Sequence, residues 1–142
     1  MFRELVRKKQ QISKEECIIL LKEELRGVLS VQGDDGCLYF HSGMTGHKID
    51  AIRRCGKASF CVYDQGFRRE GEWALNIKSV IVFGRIEIIE DKETIYDISR
   101  KLSHKFTRDE AYIEKEITHS GPRTLMFRLV PEHMTGKLVN ES

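Results

Sequence analysis

Residues 38–50 read LYFHSGMTGHKID. The apolar run Leu38-Tyr39-Phe40 predicts a strand, and the segment from His47 predicts the start of a helix. Gly43 and Gly46 lie in the turn between them. Such a turn offers backbone N–H groups, a hydroxyl and the cation of Lys48, a set that suits an anion and most naturally a phosphate. The same composition also serves a plain connection, because any strand-to-helix turn needs glycines and a polar start.

Working outward, Gly33-Asp34-Asp35-Gly36 is a turn signal that separates Val28–Val31, read as a strand, from the strand of residues 37–41. Upstream, Ser13-Lys14-Glu15-Glu16 has the pattern of a capping box. Cys17, Ile18, Leu20, Leu21 and Leu25 follow at helical spacing, and Gly27 ends that helix. Residues 1–12 form a basic arm with Arg3, Arg7, Lys8 and Lys9, which serves either as a solvated tail or as an arm reaching a partner or an anionic ligand.

Downstream, Ile49, Ile52 and Cys55 share one face of the helix from His47, with Gly56 expected as its C-cap. Lys57–Tyr63 alternates as a strand with Ala58, Phe60 and Val62 inward. Residues 64–71 form an exposed loop. Residues 79–90, SVIVFGRIEIIE, carry the longest strand signal, continuous over Val80–Phe83 and alternating after Gly84, where a bend is expected. Asp91 caps a helix to about residue 106, with Ile95, Ile98, Leu102 and Phe106 inward. A second helix from Asp109 buries Ala111, Ile113 and Ile117, and Gly121-Pro122 stops it. Thr124–Val130 and Met134–Val139 are strands separated by Pro131. About six strands and four helices in this order make an α+β fold with a mostly antiparallel sheet, and the bend at Gly84 favours a small barrel.

The chain has 142 residues, 40% hydrophobic and 32% charged, with a formal net charge of +2. That suits one globular domain over residues 1–142 and gives no argument for nucleic acid. No apolar run approaches the length of a membrane span, and no signal peptide core is present, so a cytoplasmic protein is expected. Cys17, Cys37, Cys55 and Cys61 form no metal-binding spacing and are expected as buried or half-buried thiols. His41 and His47 have no third ligand at useful spacing, so no metal is expected. Gly43 to Lys48 is too short for a triphosphate loop. Ser42 beside His41 is a poor nucleophile pair, since neighbours on a strand face opposite ways. His104, His119 and His133 are surface or cap residues. Trp73 is either a core aromatic or one that packs on a planar ring or a partner.

Taken together, LYFHSGMTGHKIDAI, ASFCVYD, the residue Trp73 followed by SVIVFGRIEIIED, and the terminal PEHMTGK resemble the pyridoxamine 5'-phosphate oxidase-related FMN-binding proteins, nearest the nitroimidazole-resistance-type flavoproteins. The resemblance implies a split β-barrel with flanking helices and a homodimer that binds FMN across its interface. It places Tyr39, Phe40, His41 and Ser42 on the strand along the flavin. Thr45, Gly46, His47 and Lys48 then hold the FMN phosphate, with His47 a weaker, pH-dependent donor where the family has arginine, and Ser79 approaches the flavin. His41 is the candidate acid or base beside the ring. The implied activity is reduction of a small molecule, including nitroaromatics, with electrons from a reduced nicotinamide. A flavin- or haem-binding module without catalysis is the alternative. One departure stands out: family members carry another strand and turn between the glycine-aspartate turn and the Tyr39 strand, whereas here Gly36-Cys37-Leu38 joins them directly.

Overall fold

The computed structural model describes residues 8–23 and 30–141. Residues 1–7 of the basic arm, Leu25, the expected stop at Gly27 and the first residues of the strand expected from Val28 lie outside them. Helix α1 spans Lys14–Glu23, strand β1 Ser30–Gln32, β2 Leu38–Gly43, and α2 His47–Arg54. Strand β3 spans Lys57–Tyr63, β4 Leu75–Ile89, α3 Lys92–Ser103, α4 Glu110–Ser120, and β5 Thr124–Glu141. The described strands hydrogen-bond in the order β1-β2-β5-β4-β3.

The chain divides into two compact units. Of the described residues, the first holds 8–23, 59–84 and 131–141, and the second holds 30–58 and 85–130. The chain crosses from one to the other at Gly84 within β4 and at Pro131 within β5. These are the two positions where the sequence predicts a bend and a break. Neither ends a strand. Pro131 was expected to split the last strand in two, but β5 runs unbroken, giving five described strands. A proline removes a single donor, and its φ is compatible with extended backbone.

In the second unit, β1 and β2 form an antiparallel hairpin in which Val31 faces Tyr39. The turn is closed by the Gly33 N–H to the Cys37 carbonyl at 2.8 Å and the Gly36 N–H to the Gly33 carbonyl at 3.0 Å. No strand lies between them, so the departure noted in the sequence is a direct hairpin. Asp35 accepts from the Cys37 amide at 3.0 Å and from the Tyr39 hydroxyl at 2.7 Å. Burial would raise its pKa, but these two bonds outweigh it and hold the carboxyl below its usual range. Strand β2 then pairs antiparallel with β5, Leu38 opposite Leu129 and Gly43 opposite Thr124. The helix-side core joins Cys37, Tyr39 and Met126 to Ile98 and Leu102 of α3.

Asp91 caps α3 by accepting from the Thr94 amide at 2.8 Å, and Asp109 caps α4 by accepting from the Tyr112 amide at 3.0 Å. Arg100 of α3 pairs with Glu110 and Glu114 of α4. Some inward assignments do not hold. Phe106 is exposed because α3 ends at Ser103 and the next residues turn. Ala111 is exposed as well. Helix α2 is closed by Cys55, whose N–H reaches the Ala51 carbonyl, and Gly56 lacks the left-handed backbone of a glycine cap.

In the first unit the capping box of α1 is formed: the Glu16 amide donates to Ser13 Oγ, and the Ser13 amide to Glu16 Oε2, both at 3.1 Å. Cys17, Leu20 and Leu21 are buried. The arm's described start, Lys8 and Lys9, is exposed, while its end is tied to β5: Gln11 bridges Lys137, and the Ile12 amide donates to the Gly136 carbonyl at 3.0 Å. On β4, Val80 and Val82 are fully buried while Phe83 is 37% exposed, so burial alternates instead of covering both faces. Cys61 alternates with buried Phe60 and Val62 and is exposed, as is Cys55 in the second unit, contrary to the apolar setting expected for them.

At Gly136, β5 passes close to Ile12 and to Cys17 of α1. A Cβ there would run into Cys17 Sγ and Ile12 Cγ1. Gly136→Ala is expected to destabilise the protein by about 1–3 kcal/mol, the usual cost of overpacking, measurable as a lower urea midpoint at unchanged slope.

Candidate functional site

The alternation of β2 sorts its residues onto two faces. Tyr39 and His41 share the face carrying Met126 and α3. Phe40 and Ser42 share the other. Phe40 is buried, its ring stacked on Phe127 with centroids 5.4 Å apart and planes at 16°. Lys48 Nζ stands 5.9 Å from the centroid of that Phe127 ring, a cation–π contact that orients the ammonium without neutralising it.

The turn after β2 exposes Gly43, Met44, Thr45, Gly46, His47 and Lys48. Gly46 is the N-cap of α2, with φ 131° and ψ 168°. A residue with a side chain would be strained there. Its carbonyl already accepts from the Ile49 amide at 2.9 Å and the Asp50 amide at 3.1 Å. No side chain caps the helix, and the Cβ positions of Gly43 and Gly46 open onto empty space. The first N–H groups of a helix have no acceptor within it. Thr45, His47 and Lys48, all exposed, adjoin these groups in the chain. Asp50, also in the first turn, complements the helix dipole from its outer side. Ile49, buried to 1% exposure, anchors the helix beneath the loop.

His41 is not brought to this loop face. It lines a cavity of about 350 Å³ between the sheet and helices α3 and α4. His41 stays exposed; its partial burial pushes its pKa down, and the charge of Lys48 adds to the shift. Ser79 is half-buried on β4 and belongs to the other unit. Among the described residues no group of three or more His, Cys, Asp or Glu could hold a metal, and no helix is long and apolar enough to cross a membrane. Sequence reasoning missed the cavity. Its walls come from two helices whose inward faces were recognised one at a time, with no local signal that they leave space over β2.

Residues 13–138 match the profile of the pyridoxamine 5'-phosphate oxidase family. The chain belongs to that family. No protein of curated function matches the sequence. Among solved structures, the family member is similar to a conserved protein of Mycobacterium tuberculosis with a TM-score of 0.72 at 17% identity, covering 92% of this chain and 88% of that one. It is similar to a candidate 5-nitroimidazole antibiotic resistance protein of Bacteroides thetaiotaomicron (TM-score 0.64, 19% identity, 92% and 87% covered). It is also similar to an FAD-binding protein of Mesorhizobium loti (TM-score 0.61, 21% identity, 92% and 97% covered). The fold of this pyridoxamine 5'-phosphate oxidase family member is therefore the α+β split β-barrel anticipated from the sequence, mostly antiparallel with flanking helices. Both strand pairings with a described register are antiparallel.

Proposed function

We propose that this protein binds FMN with its phosphate at the N-terminus of α2. It acts as a homodimeric, cytoplasmic oxidoreductase that passes electrons from a reduced nicotinamide to a small aromatic acceptor such as a nitro compound. The observation that carries the reading is the uncapped α2 N-terminus at Gly46, open to solvent and flanked by Thr45, His47 and Lys48. The fit is chemical. Amide N–H groups, a hydroxyl and an ammonium complement a phosphate dianion, and the absent Cβ at Gly46 lets oxyanions reach the backbone. Lys48 would balance the charge, and Thr45 and His47 would add donors. Ser42 lies on the Phe40 face, next to the turn. A bound flavin would supply the redox chemistry, leaving binding and orientation to the protein.

The FAD-binding relative supports a flavin, and the nitroimidazole-resistance relative supports a nitroaromatic acceptor. Trp73, 75% exposed, with Tyr63 and Phe67 also exposed, supports a partner surface. The four described thiols are all unpaired, which suits a reducing compartment.

The purified protein is expected to take up FMN. Riboflavin, which lacks the phosphate, should bind at least about tenfold more weakly, a difference of about 1.4 kcal/mol. The same sample should sediment as a dimer, and nicotinamide-reduced protein should be reoxidised by a nitroaromatic. Failure to bind FMN, or equal affinity for riboflavin, sinks the phosphate assignment. The direct β1–β2 hairpin favours a second reading, a flavin- or haem-binding module without turnover, because the family resemblance implies a further strand there and this chain has a direct turn. FMN uptake with reoxidation no faster than that of free flavin would decide for it.

A further inference from the structure

We infer that the cavity between α3, α4 and β2 is a second small-molecule site, which takes an aromatic amine. It lies on the His41 face of β2, whereas the phosphate-binding loop packs its lysine over Phe127 on the opposite face. The two sites are therefore built from different surfaces of one strand, and the inference does not depend on FMN binding. At about 350 Å³ the cavity falls in the range of small-ligand pockets. Buried Leu102 and Ile113, with half-buried Ile95 and Ile117, make its inner wall. Phe106 and Tyr112 stand at its rim, 56% and 55% exposed. Two large aromatics turned to water beside an apolar wall are suited to hold a flat ring by its faces.

The charge of the cavity sets the rest of the ligand. Among the described residues that line it, Glu116 is the one carboxylate, and neither lysine nor arginine is present. His41, the remaining titratable group apart from the Tyr112 phenol, is disfavoured as a cation by its surroundings. A cationic amine is complementary to Glu116, both by charge and through cation–π contact with the rim rings, while a carboxylate meets repulsion.

The test titrates the full-length protein with three fluorescent probes of one shape: 1-naphthylmethylamine, 1-naphthalenemethanol and 1-naphthoate. The amine should bind tightest, the alcohol next and the carboxylate least. Glu116→Gln, an exposed substitution that leaves the wall intact, should weaken the amine about fivefold and leave the alcohol unchanged, the scale of a partly exposed ion pair. Ile117→Trp should fill the cavity and remove binding of both, with its thermal transition retained as the check on folding. If Ile117→Trp fails that check, Ser99→Phe replaces it. No saturable binding, equal affinity for amine and carboxylate, or unchanged binding in the filled variant overturns the assignment. Displacement of the amine by saturating FMN would also overturn it, by making the cavity the flavin's own seat. Retention of the amine in a protein that binds no FMN would refute the flavin reading alone.

Discussion

Replacing Lys48 with alanine should weaken FMN by about 1.5–3 kcal/mol, roughly ten- to a hundred-fold in Kd, with little change for riboflavin. The magnitude follows from position. The ammonium is exposed at the second residue of α2, adjoining the Gly46 N-cap, and is held over the Phe127 ring rather than in an ion pair. Its removal costs the proposed site its one permanent cation, while the helix N–H groups remain. A Lys48→Arg variant should retain most of the affinity, since charge rather than shape is at stake. Titration by quenching of flavin fluorescence checks both variants. An unchanged Kd for Lys48→Ala would mean that the loop is only a connection. A parallel loss for riboflavin would mean that the variant has disturbed the protein rather than the phosphate contact. The effect should also shrink as salt rises, because an exposed cation is screened over a Debye length of about 8 Å near physiological ionic strength.

Met126→Ala is expected to cost about 2–5 kcal/mol of stability, the range for large-to-small changes in a packed core. Met126 is 1% exposed and pairs across from His41 on β2. It joins the cluster that fixes α3 to the sheet through Ile98 and Leu102. Truncation removes the side chain and leaves a void against rigid neighbours. Met126→Leu, which nearly conserves volume, should cost less than about 1.5 kcal/mol. Urea unfolding of the three proteins measures both numbers. Equal stability of the alanine and leucine variants would mean that the site collapses and that the packing there is looser than the burial indicates.

The sequence and the structure agree most closely where the signal is local. The capping box at Ser13 and the caps at Asp91 and Asp109 each involve groups three residues apart, and all are formed. Strand β3 alternates as its side chains do. Departures begin where the outcome depends on remote partners. Phe106 continues a helical stripe in sequence, but the helix has already ended, so periodicity placed it in a core it does not enter. Pro131 and Gly84 were recognised as punctuation, yet what they mark is a change of packing unit along strands that continue. The Gly46 turn and the start of α2 at His47 were legible in the loop itself. The opposite placement of His41 and Ser42 follows from the period of a strand, but the side facing a cavity depends on α3 and α4, more than fifty residues further along the chain.

Strand β5 also governs how the protein can be made. Both units draw on residues of this last strand, and Leu38–Gly43 find their partners only at residues 124–129. At translation rates of about 5–20 residues per second, β2 waits on the order of several seconds on the ribosome before that partner exists. During that interval Leu38, Tyr39 and Phe40 have β1 on one edge and nothing on the other. A nascent chain in this state presents an apolar, unpaired strand edge, the feature that recruits holding chaperones and seeds aggregation. Emergence of residues 124–129, rather than of the first half of the chain, therefore completes the pairing of β2.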